Sequence, residues 1–519
     1  MSREQGADIN IAEAERLKAE GNDLYSRGQY DAAKQKFTEA IEKRPDNAIL
    51  YANRAAVYLA KYEYLDATWD CRKAVKLDPT YARAWGRLAA TCHSLQAWPE
   101  CIDAWEKGLE CLSKLDTLTP VQETMKKSFE AGLKKSKAER CKVETSGFAL
   151  SEDAVKSGRL PWDVAKAKYE QTIAESPPES KPSCIYLIHY AREVFEYISN
   201  AVLADKRVFG MRLADFEEKI QKQSTLENGF CRGWAASGGP ATIKKEAPER
   251  LEAEGWGAVR PALAVTIRIW IFTAWLRSQF AGHFDFAHEM LMNALDVLEW
   301  GRNQWPDVSK DDRGTIFEKN FIRGVKLMLL EAMHESIFRN GPTKFTFEEL
   351  IKYAEAIVDD ADSDPYLPNM FFGHRLAYWM YPKGIALSIL GWAYLMEATH
   401  SSPEGAQRTS TLRKASQYYL LAAKNFPEDE EYHVRFLVKA LECLCATGTI
   451  PLRQTLPLCD AIRKAFNQAI EIWGAMPVGE RMKRDCNQVK TFEDEHRKLI
   501  SEGRCTLDSA SGRLPAVRE

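Results

Sequence analysis

Apolar and small residues in the first 112 positions follow one long period. They mark out a face on successive helical hairpins, and the hairpins repeat every 34 residues. Gly21, Ala55 and Ala89 share one position of the repeat, Ala33, Ala67 and Cys101 a second, and Ala40, Ala74 and Gly108 a third. Phe37, Cys71 and Trp105 share a fourth, while Pro45 and Pro79 close the first two units in KRPDN and KLDPT. Small residues let two antiparallel helices approach closely. The aromatic fills the gap, and proline stops the second helix before the next unit begins. TPVQETMKKSFEAGLKKSKAER (119–140) is long, amphipathic and basic on its outer side. It suits the terminal helix that a stack of repeats needs over its last apolar face.

Beyond residue 140 the pattern still reads as helix, with less regularity. SEDAVKSGRLPWDVAKAKYEQTI is helical with a Pro-Trp interruption, and ESPPESKPS (175–183) is a linker. CIYLIHYAREVFEYISNAVL reads as a buried amphipathic helix. The glycines and prolines clustered over 227–261 predict a long loop or domain boundary. Echoes of the repeat follow. Gly282, Phe284, Ala287 and Ala294 match the spacing of Gly28, Tyr30, Ala33 and Ala40. In ILGWAYLMEA, Leu390, Gly391 and Tyr394 look like a first helix. Ala415, Tyr419, Ala422 and Pro427 then repeat the spacing of Ala33, Phe37, Ala40 and Pro45, after the polar insertion THSSPEGAQRTST. PALAVTIRIWIFTAWL, interrupted by Arg268, and GIALSILGWAYLM both fall short of the ~20 apolar residues that cross a bilayer. They are expected as buried helices.

Composition narrows the functional classes. With 71 Lys and Arg against 74 Asp and Glu, the net charge of −3 gives no general attraction to nucleic acid or anionic lipid. Twelve cysteines without a single CxxC read as core residues in a reducing compartment. The polar N-terminus has no apolar signal run, so a cytoplasmic protein is expected.

The chemistry concentrates on the first helices of the three repeats. Tyr51, Ala55 and Tyr58 are expected in the core of the second unit, and Trp85, Ala89 and Cys92 in that of the third. That leaves Lys18 and Asn22, Asn53, and Arg83 and Arg87 facing the groove. Lys18 with Asn22, and Arg83 with Arg87, are four residues apart and share a helix face. Three cations and two amides along one groove suit an extended peptide rich in carboxylates. The cations make charge-assisted hydrogen bonds, and the amides serve the peptide backbone.

Both the repeat and this constellation resemble the dicarboxylate clamp of co-chaperone tetratricopeptide domains. LKAEGN is similar to the family's Lys-x-x-Gly-Asn, LYANRAA to its Leu-Tyr-x-Asn-Arg-Ala, and Arg87 in YARAWGR to its arginine. Arg83 stands where the family more often has lysine, keeping the charge and changing the shape. The resemblance covers the first quarter of the chain. It implies an all-α fold with three tetratricopeptide repeats and a capping helix over 12–140. A helical connecting region (141–261), a larger repeat-like helical domain (262–500) and a disordered tail (501–519) are expected to follow. The implied function is that of a non-enzymatic co-chaperone or adaptor. Its groove would hold the Glu-Glu-Val-Asp tail of a 70-kDa or 90-kDa heat-shock chaperone, and its C-terminal helical domain would bind a further protein. Scaffolding of another acidic or C-terminal peptide, or an enzyme with its catalytic domain in 141–500, are the alternatives.

No constellation supports the enzyme. His283 and His288 are five apart and do not share a helix face as HExxH histidines do. VDDADSDP (358–365) lacks the central glycine and final glutamate of a calcium loop, and FPEDEEYH (426–433) reads as a solvated run. The glycines of GFCRGWAASGGP follow no strand and precede no Gly-Lys-Ser/Thr. No GxSxG occurs, and no metal or cofactor is expected.

Overall fold

A computed structural model describes residues 3–95, 97–115, 117–143, 194–206, 216–235, 238–400, 406–512 and 514. Among them the protein is all-α, and the only extended pairing is an isolated antiparallel bridge between Pro451 and Ala510. The chain divides into two compact units, one of 1–147 with 217–317, the other of 148–216 with 318–519. The region expected as a domain over 262–500 is therefore shared between them. The segment 151–173 and the linker 175–183 lie outside the described residues.

The repeats run as helices α1 (Arg3–Ser26), α2 (Tyr30–Lys43), α3 (Ala48–Ala60), α4 (Tyr64–Leu77), α5 (Ala82–Ser94) and α6 (Trp98–Ser113). Helix α7 (Pro120–Val143) caps them, packing on α6 and α5. The small positions are closed: Ala33, Ala40, Ala55, Ala67, Ala74, Ala89 and Cys101 are all fully buried. A methyl group at Gly21 would lie 2.8 Å from the Phe37 ring, so glycine there is a steric necessity. The cap uses the same device. Phe129 of α7 fills the space beside Gly86 and Gly108, and Trp105 of α6 covers Gly132. Gly28, at φ +73°, makes the first interhelical turn in the left-handed region that glycine tolerates best. Trp85, expected in the core, is half-buried, because its indole N–H reaches out 2.8 Å to the Pro79 carbonyl.

After α8 (Val194–Asp205), which belongs to the second unit, come α9 (Phe216–Cys231), α10 (Pro240–Glu254), α11 (Trp256–Ala281) and α12 (Phe284–Gln304). The expected loop over 227–261 is thus mostly helix. Its glycines and prolines punctuate helices instead: Pro240 starts α10, and Gly255, at φ +74°, separates α10 from α11. The start of α10 is capped from the repeat domain. Asp66 of α4 accepts the backbone N–H groups of Gly239 (3.2 Å), Ala241 (3.3 Å) and Thr242 (3.2 Å), and the Thr242 hydroxyl (2.9 Å). A Cβ at residue 239 would sit 2.4 Å from that carboxylate, which explains the glycine.

Helix α11 has the length and hydropathy of a membrane span, yet 78% of its most apolar window is buried within the protein. The turn into α12 repeats the first: Gly282 sits at φ +66°, and Phe284, Ala287 and Ala294 are buried behind it. This unit closes with the short α13 (Lys310–Arg313) and a 3-10 turn over Thr315–Phe317.

The second unit contains α14 (Lys319–Asn340), α15 (Phe347–Ser363) and the short α16 (Phe372–Arg375), which passes through a π turn into α17 (Tyr381–His400). Helices α18 (Ala406–Ala423), α19 (Glu431–Ala446), α20 (Leu452–Trp473) and α21 (Pro477–Ser501) then pack in succession. The expected echo is physical: a Cβ at Gly391 would lie 3.0 Å from the Tyr419 ring, as at Gly21 and Phe37. Residues 505–511, expected as disordered tail, are ordered. The first N–H groups of a helix have no internal partner, and here Leu452 N–H bonds to Ser509 O (3.0 Å) and Arg453 N–H to Leu507 O (2.9 Å).

Candidate functional site

The first helices of the repeats, α1, α3 and α5, are neighbours in the stack, and α7 continues the row beside α5. Three of the residues expected in their groove are joined directly. The Asn53 amide donates to Asn22 Oδ1 at 3.2 Å, and the Arg87 guanidinium donates to Asn53 Oδ1 at 3.3 Å and to the Ala52 carbonyl. One residue from each of three successive repeats is thereby joined in a single hydrogen-bonded chain. Burial lowers the Arg87 pKa, and the nearby Arg83 charge adds to the effect. Arg83 lies one turn before Arg87 and is exposed.

Lys18 stands apart from that chain. It lies one turn before Asn22, and its ammonium is held by Glu15 of the same helix. Glu15 reads as ordinary helix-surface charge, so nothing in the sequence singled it out.

Sequence reasoning also passed over the brace behind the groove. Arg54, in the quoted LYANRAA, turns away from the groove and grips Asp70 of α4 with both arms at 2.8 Å. Its guanidinium lies 5.9 Å from the centres of the Tyr51 and Tyr58 rings and also donates to Thr38. Burial raises the pKa of the fully enclosed Asp70 carboxyl, against the pull of Arg54. The signal available was a lone aspartate among the apolar positions of TWDCRKAV. Since Arg54 is adjacent to Asn53, the buried pair fixes the helix rotation that aims Asn53 into the groove.

The site is therefore a row of donors, with two cations uncommitted to any carboxylate among the described residues and no arranged nucleophile or proton-transfer pair. Such a surface can hold an anionic, extended ligand by charge and backbone hydrogen bonds.

Comparison with known proteins agrees with the period. The TPR repeat family matches residues 21–61. The chain is 38% identical over 139 residues to small glutamine-rich tetratricopeptide repeat-containing protein 2 of Saccharomyces cerevisiae, covering 25% of this chain and 39% of that protein. It is 40% identical over 97 residues to the heat shock protein sti1 homolog of Schizosaccharomyces pombe, covering 19% of this chain and 16% of that protein. The chain thus spans less than half the length of these relatives. Among solved structures, the first TPR of Spaghetti (RPAP3) bound to the HSP90 peptide SRMEEVD is 27% identical. That match covers 24% of this chain and 95% of that one, with a TM-score of 0.21. The N-terminal quarter is a tetratricopeptide domain homologous to those of the Sgt2 and Sti1 co-chaperones.

Proposed function

We propose that this domain binds the acidic C-terminal tail of a 70-kDa or 90-kDa heat-shock chaperone, making the protein a non-enzymatic, cytoplasmic co-chaperone or adaptor. The observation that carries the reading is the chain Asn22–Asn53–Arg87 across three repeats, with Arg83 exposed beside it. Carboxylates of the tail would meet Lys18, Arg83 and Arg87, and its backbone Asn22 and Asn53. The reading is in keeping with a relative that is a heat shock protein sti1 homolog. The larger helical unit would supply a second protein partner.

The reading is tested by titrating the full chain with the peptide SRMEEVD and comparing alanine variants of Lys18, Asn53, Arg83 and Arg87. Each lost cation is expected to cost roughly 1.5–3 kcal/mol, about ten- to a hundred-fold in affinity. Undiminished binding in the Arg83→Ala, Arg87→Ala double variant would place the peptide elsewhere.

A further inference from the structure

The cations of the groove are in two different states. Arg83 and Arg87 form no ion pair among the described residues, whereas Lys18 is already neutralised by Glu15, one turn earlier on α1. Glu15 Oε2 sits on the Lys18 ammonium. The other carboxylate oxygen, Oε1, lies 4.0 Å from an Arg44 guanidinium nitrogen, at the C-cap of α2. The Lys18 side chain is 23% exposed and that of Glu15 45%, so the pair lies where solvent and a ligand can reach it.

We infer that Glu15 is an internal competitor for the ligand's carboxylate, a specificity-determining residue that occupies Lys18 until an acidic tail displaces it. The inference rests on the reading of the groove as a tail-binding site. Displacement is cheap, because a half-exposed pair of this kind is worth at most about 1 kcal/mol. Arg44 gives the released Glu15 carboxylate a second cation within reach, so it is not left unpaired. A ligand without a carboxylate at this position has nothing to exchange for Glu15. Glu15 therefore lowers the affinity for acid-terminated peptides alone, holding it below what an open Lys18 would give and narrowing their advantage over amidated ones.

The test is Glu15→Gln in the full chain, which keeps the side-chain length and removes the charge. The variant should bind SRMEEVD roughly two- to five-fold more tightly. Binding of the C-terminally amidated peptide should not change, and circular dichroism should show an unaltered fold. Lys18→Ala should cost more in the Glu15→Gln background than in the wild type, since only there is Lys18 free at the outset. If the wild type binds and Lys18→Ala weakens it, but Glu15→Gln matches the wild type, the competitor role is overturned and the groove reading stands. Equal tightening for the acid and amide peptides would reduce Glu15 to a general charge effect and overturn the inference. No binding of either peptide by the wild type would remove the groove reading and the inference with it.

Discussion

Replacing Asp66 with alanine should loosen one end of α10 without touching the groove. Asp66 is buried, and it accepts three backbone N–H groups and one hydroxyl at 2.9–3.3 Å. Gly239 has no side chain with which to cap the helix itself. Loss of a side-chain cap costs about 1 kcal/mol and up to about 2 in a protein, and hydrogen bonds to a charged acceptor sit at the upper end. Burial opposes this by raising the Asp66 pKa, so part of the carboxylate's desolvation cost is recovered on removal. The net expectation is a loss of about 2 kcal/mol, which for a unit of this size lowers the melting temperature by about 4–8 °C. Asp66→Asn keeps an oxygen in place of Oδ1, the atom that takes Gly239, Thr242 and the hydroxyl, and should lose less than about 1 kcal/mol. Urea unfolding gives the energy, and hydrogen exchange localises it to the amides of 239–242. Alanine indistinguishable from wild type, with exchange at α10 unchanged, would refute the long-range cap.

Two further effects are expected in the second unit. Arg323 is fully buried and donates to Asp360 (2.6 Å), Asp364 (2.7 Å) and the Tyr378 carbonyl (3.0 Å). Arg323→Met removes the buried cation from both carboxylates, leaving Asp364 only the more distant Lys319 (3.9 Å), and should destabilise by about 3 kcal/mol, the lower end for a broken buried pair because the aspartates are partly exposed. Denaturant unfolding measures it. Burial, with Arg435 and Lys206 nearby, pushes the His334 pKa down to about 4. The unfolded chain then takes up the proton first, so this contribution is complete above pH ~6.5 and is lost as pH falls toward 4, about 3 kcal/mol in all. His334→Phe should flatten that part of the stability–pH curve relative to wild type.

What was legible in the sequence was what repeats. The period placed Gly21 against Phe37, and the weaker echo placed Gly391 against Tyr419, because the same close approach demands glycine in both. Groove residues were legible because each first helix has few faces left once its core is assigned, and Asn22, Asn53 and Arg87 do meet. Contacts distant in sequence were not legible. Asp66 and Gly239 are 173 residues apart, and the glycines that looked like a loop serve a cap supplied from elsewhere. The ordered stretch 505–511 was missed for a related reason. Its polar, small residues resemble a free tail, and what holds it is the row of bare N–H groups at the start of α20. Glu15 was invisible because an i,i+3 pair on a helix surface is usually inconsequential.

Recognition of a carboxylate-terminated peptide by the groove, as proposed above, is decided by one comparison. The full chain would be titrated with SRMEEVD and with the same peptide amidated at its C-terminus, each at low and physiological salt. Micromolar binding of the acid, weakened by salt and lost or at least tenfold poorer in the amide, is the expected result. Equal affinity for the two peptides, or none for either, would contradict it.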